Sequence, residues 1–176
     1  MAGKPRGSET VGDIVRSLVA LLGIIAAVVV AFTVMRPDQL RPDPVDYSRI
    51  VDDLRAEYPY PVLAPTPVPS GWTATSVEHS ARTSGNRWRL GFVTDDDGFV
   101  GLEQSDGEIE SFLDDRLNGF TEDGASEIDG ATWQQWIESG DGPDRALVLV
   151  EEGVATVVLG TEPYDVLREF AASLGS

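Results

Sequence analysis

The most constraining feature of the sequence is an uncharged, strongly apolar run of 19 residues from Ser17 to Met35, which reads SLVALLGIIAAVVVAFTVM. A helix of this length extends about 28 Å, close to the thickness of the hydrocarbon core of a bilayer. In lipid each backbone polar group needs a partner within the segment, and a helix provides one even for a valine-rich run. The sequence therefore predicts a transmembrane helix that spans the lipid bilayer.

Two other interpretations of the run fit less well. A cleaved signal peptide has a shorter apolar core and a cleavage site of small residues, whereas this run ends in Val34, Met35, Arg36 and Pro37. A helix in the core of a soluble domain would show a polar face, and this run has none. We therefore expect a single-pass protein of the cell membrane.

The basic residues that flank the run do not decide its orientation. Three lie on each side, Lys4, Arg6 and Arg16 before the run and Arg36, Arg41 and Arg49 after it, so the usual excess of positive charge on the inner side is missing. The leading tail, residues 1–16, is very short, which favours an N-terminus inside the cell. We expect the soluble domain to be extracytoplasmic and to belong to the cell envelope.

The part of the chain beyond the run is strongly acidic. After the first 35 residues the sequence has 10 basic and 28 acidic residues, a net charge of −18. Such a charge repels phosphate backbones and anionic lipid surfaces, which argues against nucleic-acid binding. Cysteine is absent, so disulfides, thiolate catalysis and cysteine metal sites are excluded.

Residues 36–70 form a proline-rich stalk between the run and the domain. They contain eight of the 11 prolines, which disfavour long helices and central strands. One amphipathic helix is predicted within the stalk, from Asp46 to Tyr58. Its shared apolar face comprises Tyr47, Ile50, Val51, Leu54 and Tyr58. We expect that face to pack on the domain or to lie along the membrane, and the chain after it to form an ordered strap or a loose tether.

From residue 71 onward, short strands separated by turn residues indicate a single acidic domain, residues 71–176. Seven strands are predicted, at residues 72–79, 87–93, 99–104, 125–128, 131–139, 145–150 and 154–159. One helix follows the third strand, with Ser105 and Glu108 as a capping box, and a last helix occupies residues 163–174. Asp129-Gly130 is predicted to be the hairpin turn between the fourth and fifth strands, and such tight turns between consecutive strands imply antiparallel pairing. The predicted class is α+β, an antiparallel sheet of about seven strands packed with two helices in the order β-β-β-α-β-β-β-β-α.

The second and third strands are expected to form a hairpin closed by the turn from Asp95 to Gly98. Centring the turn on Asp96 places the apolar side chains of both strands on one face. The same register sets Arg89 opposite Glu103 as a cross-strand ion pair.

The strands at residues 145–150 and 154–159 are almost continuously apolar. Strands of this kind are covered on both faces and lie in the middle of a sheet. We therefore expect Leu149 and Val157 to be almost wholly buried.

Five segments carry a resemblance to a known family: PVLAPTPVPSGW, WRLGFVTDDDGFVGLEQS, IDGATWQQW, RALVLVEEGVATVVLGT and AASL. In this order they resemble the actinobacterial, membrane-anchored family catalogued as domain of unknown function 4245, over nearly the whole chain. The resemblance implies an anchored envelope protein and carries over no catalytic residue. The order of elements is also similar to that of PsbP-type helix–sheet–helix sandwiches, which is a likeness of fold alone.

Two patterns that often signal metals have simpler explanations here. His79 is the only histidine, and without a second histidine or a cysteine it is predicted to be a surface strand residue. The segment Asp95 to Gly98 resembles part of a calcium loop, but Val93 and Gln104 stand where the first and last ligands belong. We predict a polar turn there, and no metal site and no cofactor.

The candidate contact site for a partner or ligand comprises Arg82, Arg87, Trp88, Arg89 and Glu103. The three arginines form the basic cluster of the domain and, with the tryptophan between them, could meet an anionic headgroup or an acidic partner. Glu103 could act as an acid or base, but glycosidase-type chemistry needs a second carboxylate opposite it. An ion pair is the simpler role, and no catalytic residue is predicted.

The sequence favours a non-enzymatic envelope module that binds a membrane or envelope protein partner, or that helps a complex to assemble. Two alternatives stay open: an envelope hydrolase that uses carboxylates, and a carrier of a small apolar ligand or lipid. In the carrier, Trp72, Trp133 and Trp136 could line the pocket, although core packing explains bulky aromatic residues more often. A filled interior would support the module, paired buried carboxylates the hydrolase, and an apolar cavity the carrier.

Overall fold

The computed structural model describes residues 43–82, 85–140 and 144–176, apart from the side chain of Arg82. The predicted transmembrane helix, residues 17–35, and the first part of the predicted stalk lie outside these ranges. Within them, no helix is long and apolar enough to cross a membrane. Residues Asp43–Ser176 form one compact unit.

A seven-stranded antiparallel sheet is the centre of the part of the unit that the structure describes. Its strands are β2 (Thr73–Arg82), β3 (Gly85–Val93), β4 (Phe99–Ser105), β5 (Phe120–Ile128), β6 (Ala131–Glu138), β7 (Arg145–Glu151) and β8 (Val154–Gly160). They lie side by side in the order β2-β3-β4-β8-β7-β6-β5. The predicted α+β class and antiparallel sheet are confirmed, and β8 lies at the centre with β7 beside it, as their apolar runs predicted.

Three helices and a two-stranded sheet complete the described ranges. The helices are α1 (Ser48–Glu57), α2 (Ile109–Arg116) and α3 (Tyr164–Ala172), and the short strands β1 (Ala64–Pro65) and β9 (Leu174–Gly175) pair antiparallel. The capping box predicted for α2 is wrong. Ser105 is the last residue of β4, and in the described structure no side-chain hydrogen bond caps α2 at Glu108.

Two-residue turns close two of the hairpins. Asp129 and Gly130 join β5 to β6 with φ angles of 49° and 84°, and Glu152 and Gly153 join β7 to β8 with 50° and 80°. Positive φ at both positions is the geometry of a type I′ turn, whose twist matches that of the flanking strands. The hairpin predicted at Asp129-Gly130 is confirmed.

The described part of the predicted stalk belongs to the domain. The compact unit begins at Asp43, whereas the boundary was predicted at residue 71. Val51 and Leu54 of α1 are buried in the main core, so the amphipathic face packs on the domain. Proline-rich composition therefore does not separate residues 43–70 from the folded unit.

The segment after α1, residues 59–66, is an ordered strap. Tyr60, Val62 and Ala64 are buried in the main core. The pairing of β1 with β9 fixes the end of the strap, and Arg55 Nη2 donates a hydrogen bond to the carbonyl oxygen of Gly175 at 2.8 Å. The prolines fit because an extended strap, unlike a helix, does not need a backbone N–H donor at every position.

The two faces of the sheet are covered differently. On the first face lies a large apolar core, closed by α1, the strap and α3, whose buried members include Trp88, Leu90, Phe92, Val100, Leu102, Leu167 and Phe170. On the second face α2 packs on a smaller core, whose buried members are Phe112, Leu117, Ala146, Val148, Ala155 and Val157. The domain is thus a helix–sheet–helix sandwich with unequal layers.

One of the two burial predictions fails. Val157 is fully buried, as predicted. Leu149 is only partly buried, because its side chain lines an open groove at the end of the β7–β8 hairpin.

Candidate functional site

The hairpin of β3 and β4 has the predicted register. Arg89 lies opposite Glu103, and Trp88 lies opposite Gln104. Arg89 Nη2 is 3.4 Å from Glu103 Oε1, and Arg116 Nε of α2 is 3.2 Å from Glu103 Oε2. The predicted cross-strand ion pair is present, with a second arginine that the sequence did not indicate.

Glu103 is deeply buried, although it is paired with partly exposed Arg89. It is 1% exposed, and the hollow beside it has a volume of about 20 Å³, enough for about one water molecule. Burial raises the pKa of the carboxyl above its ordinary value and outweighs the lowering by Arg116, Arg89 and Arg87. A raised pKa is typical of acid catalysts, but no substrate group can reach this carboxyl. Its contacts support the role of holding α2 on the sheet.

The predicted contact site is divided between the two faces. Strand alternation turns Trp88 into the first core, where it is fully buried, and turns Arg87 and Arg89 to the second face with Glu103. Arg89 also lies 3.6 Å from Glu78 on β2. The side chain of Arg82 lies outside the described residues. The structure therefore places Trp88 on the opposite face of the sheet from Arg87 and Arg89.

Gln104 is a structural residue that the sequence analysis did not single out. Its Oε1 accepts hydrogen bonds from Leu63 N at 2.8 Å and from Trp88 Nε1 at 3.0 Å. Its Nε2 donates to the Pro61 carbonyl oxygen at 3.3 Å and to Thr156 Oγ1 at 3.2 Å. One buried amide thus joins the strap to two strands of the sheet. The sequence contained one signal for this role: Gln104 continues the inward-facing positions of Val100 and Leu102, and an amide at a buried position needs hydrogen-bond partners.

An open groove of about 490 Å³ lies between the strap and the β7–β8 hairpin. Pro59, Tyr60, Pro61 and Leu63 of the strap line it, together with Gln104, Leu149, Glu151, Glu152, Val154 and Thr156 of the sheet and its turn. Glu151 and Glu152 are exposed. The groove therefore combines aliphatic and proline surface with two acidic side chains.

Tyr60 lines this groove, but its hydroxyl oxygen is buried. The residue is 6% exposed, and its hydroxyl has no hydrogen-bond partner within the described structure. Burial, with a smaller contribution from Asp106, raises the pKa of Tyr60 well above its ordinary value. The hydroxyl therefore stays protonated at neutral pH and supplies no base.

The remaining sequence candidates have structural roles. His79 is exposed on β2, as predicted. The Asp95 to Gly98 segment is a turn in which Thr94 N donates to the Gly98 carbonyl oxygen at 2.9 Å. Within the described residues no group of three or more histidine, cysteine, aspartate or glutamate side chains could hold a metal ion.

The tryptophans serve mainly as core residues. Trp72 stacks on Phe170 with ring centroids 5.4 Å apart, and Trp133 is 4% exposed in the first core. Trp136 packs against the second core. Core packing, which the sequence left as one of two readings, is the role that these contacts support.

The fold and site define a class: a small α+β domain with helices on both faces of one antiparallel sheet and an open groove between strap and sheet. Residues 6–174 match the family described as Protein of unknown function (DUF4245). The chain belongs to this family, which confirms the resemblance seen in its segments. No curated protein and no solved structure matches the chain.

Proposed function

We propose that the protein is a membrane-anchored binding or assembly module without enzymatic activity. In this proposal residues 17–35 hold it in the cell membrane by a single pass, and the domain from Asp43 onward lies in the cell envelope, outside the cytoplasm. The groove between strap and sheet then receives a segment of a membrane or envelope protein. The apolar run supports the anchor, and the lining of the groove supports the binding role.

The composition of the groove is the observation that carries this proposal. Its aliphatic and proline surface suits an extended peptide segment, and Gln104 already donates hydrogen bonds to the Pro61 carbonyl oxygen of the strap and to Thr156 Oγ1. Its carboxylates, Glu151 and Glu152, are solvent-exposed residues at a hairpin turn. Such a lining offers contact surface and a local negative charge, and lacks an oriented acid–base pair among the described residues.

Charge indicates the kind of partner segment. Residues 43–176 contain 8 basic and 27 acidic residues, a net charge of −19, and two of the acids stand at the groove. A field of this sign attracts cations and accelerates their association. We expect the partner segment to carry arginine or lysine beside an aliphatic side chain.

The carrier of a small apolar ligand is the second candidate. The groove volume of about 490 Å³ is within the usual range of small-molecule sites, and Leu63, Leu149 and Val154 offer an apolar contact surface. The hydrolase has weaker support, because its best acid, Glu103, is held between two arginines away from solvent. Organic extraction of the purified full-length protein followed by mass spectrometry would reveal a bound apolar ligand.

The binding role is tested by co-purification of the full-length protein from its own membrane. We expect Glu151→Lys to reduce recovery of a specific partner several-fold, because it reverses charge at the groove. The matched control is Glu169→Lys, which reverses an exposed charge on α3 away from the groove. Equal recovery with both variants would contradict the groove as the binding surface.

The anchor is tested separately by fractionation. The full chain should stay with membranes after alkaline carbonate extraction, whereas a chain without residues 1–35 should be a soluble monomer because of its own core and high negative charge. An insoluble truncated chain at every salt concentration would contradict this organisation.

A further inference from the structure

The second face of the sheet carries a hollow that the proposed function does not use. It has a volume of about 320 Å³ and lies between the edge of the sheet and α2. Its lining comprises Ser80, Gly85, Arg87, Ser105, Gly107, Glu108, Ser111 and Phe112. We infer that this hollow is a binding site for a phosphodiester that also carries an amine, as in a phosphoethanolamine group.

Arg87 is the cation of the site. Its guanidinium carbon lies 4.6 Å from the ring centroid of Phe112, a residue that is 3% exposed. Stacking on a buried ring holds the guanidinium in place before a ligand arrives. Among the described residues Arg87 forms no ion pair, whereas Arg89 and Arg116 share Glu103. A half-buried arginine is thus left with its donors free in a strongly acidic domain.

Three serine residues line the same hollow as this guanidinium, and their hydroxyls favour phosphate over carboxylate. Ser80, Ser105 and Ser111 all line the hollow. Ser105 Oγ accepts a hydrogen bond from Gly107 N at 3.3 Å, which leaves its O–H for a ligand. The serines come from β2, β4 and α2, and donors from several elements suit the tetrahedral arrangement of the oxygens of a phosphodiester better than the planar arrangement in a carboxylate.

Two acidic residues near Arg87, Asp106 and Glu108, indicate which second group the ligand carries beside the phosphate. Asp106 already accepts hydrogen bonds from Asn86, through the backbone N at 2.5 Å and Nδ2 at 2.9 Å. Glu108 also lines the hollow but is exposed, so it can pair with a ligand amine. A group with one negative and one positive charge matches Arg87 and Glu108 together. Such a zwitterion also escapes the repulsion that a domain of net charge −19 exerts on anions.

Two glycines of the wall, Gly85 and Gly107, pack tightly against each other. The backbones of Gly85 and Gly107 approach so closely that a Cβ on Gly85 would lie 2.3 Å from Gly107 Cα. Gly85 also has a φ of 122°, which side chains rarely adopt. Glycine is therefore required where β3 begins, next to the loop that leads to α2, and this contact brings the serines of the two segments to the same hollow.

The test is a titration of the full-length protein in a maltoside detergent, followed by ³¹P NMR of soluble glycerophosphoethanolamine. We expect saturable binding that Arg87→Gln weakens at least ~10-fold, because a charge-assisted pair is lost. The matched control Arg168→Gln, an exposed arginine of α3, should leave the affinity within about twofold, the range of a surface change. Circular dichroism establishes that both variants are folded.

Three further titrations show which part of the ligand the site recognises: the amine, the phosphodiester or the acyl chains. Glu108→Gln should weaken binding of glycerophosphoethanolamine but not of glycerophosphoglycerol, which lacks the amine. Inorganic phosphate should bind more weakly than either. If dihexanoyl phosphatidylethanolamine binds more tightly than the glycerol diester, the source is a lipid headgroup, and if it binds more weakly, the source is a soluble phosphodiester. Absence of saturable binding, or equal affinity in Arg87→Gln and the parent protein, would overturn the site.

Discussion

The two faces of the sheet differ in the helices that cover them and in the polar group that each buries, although the same strands form both faces. The first face is closed by α1, the strap and α3 over a large apolar core, and its buried polar centre is the amide of Gln104. The second face is closed by α2 over a smaller core, and its buried polar centre is the carboxyl of Glu103. Adjacent residues of β4 thus contact the two layers differently, Gln104 through neutral hydrogen bonds and Glu103 through charged side chains.

This difference indicates where function can reside. The first layer includes residues 43–66, so the groove exists only because the strap is part of the domain. The second layer leaves Arg87 and a serine-lined hollow at its margin. We expect stability to come mainly from the larger core, whereas the surfaces that we propose for binding lie at the margins of both layers.

The largest expected effect compares a phenylalanine from each layer. Phe170→Ala removes a ring that contacts both Trp72 and Phe92 in the first core, and it should reduce the free energy of unfolding by about 3–5 kcal/mol. Phe112→Ala in the smaller core should reduce the free energy of unfolding by less than Phe170→Ala does. Urea denaturation of both variants measures the difference, and a larger loss for Phe112→Ala would reverse the proposed ranking of the two layers.

A smaller loss is expected from Gln104→Leu. This change leaves Leu63 N and Trp88 Nε1 without an acceptor in a buried place, at a cost of about 2–4 kcal/mol. Hydrogen exchange at the Leu63 amide should accelerate, because its partner is lost. Gln134→Leu, at an exposed position of β6, is the control. An unchanged Leu63 exchange rate in Gln104→Leu would show that the strap is held by other contacts.

The smallest effect concerns Glu103 and depends on pH. Because burial raises its pKa in the folded state above the ordinary 4.5, the folded protein binds more protons than the unfolded chain just above that pH. Ionisation of Glu103 therefore lowers stability as pH rises through this window. We expect Glu103→Gln to be at least as stable as the parent protein at pH 7, and the difference in stability to shrink as the pH falls from 7 towards 4.5.

The control for this measurement is Glu78→Gln, which alters the exposed partner of Arg89. It should change stability by less than about 0.5 kcal/mol. A marked loss of stability for Glu103→Gln at pH 7 would instead mean that the ionised pair with the arginines stabilises the fold.

Much of the sheet could be predicted because strands have a period of two. Alternation around Leu90 and Leu102 determined the hairpin register, since a shift by one residue would have turned the apolar side chains to the other face. The Asp129-Gly130 turn was predictable because few dipeptides tolerate two positive φ angles. Such local rules need no knowledge of distant contacts.

The failures arise where distant parts of the chain decide the structure. Leu149 lies in an apolar strand, but only the path of the strap decides that a groove opens over it. The prolines led to the prediction of a stalk separate from the domain. The strap is instead held on the domain by hydrogen bonds with Gln104, about 40 residues away along the chain, and no local pattern reveals such bonds. The site prediction grouped Trp88 with its arginine neighbours, although the alternation that gave the register places them on opposite faces.

Photo-crosslinking in native membranes tests the central claim most directly, namely that the groove of the first layer binds a protein partner. A photoreactive amino acid at Leu149 would face the groove, whereas the same residue at Val150 would face the other side of the sheet, where the side chain is 48% exposed. The account predicts a discrete adduct with a single membrane or envelope protein from position 149 and none from position 150. Equal adducts from both positions, or an adduct from position 150 alone, would contradict it.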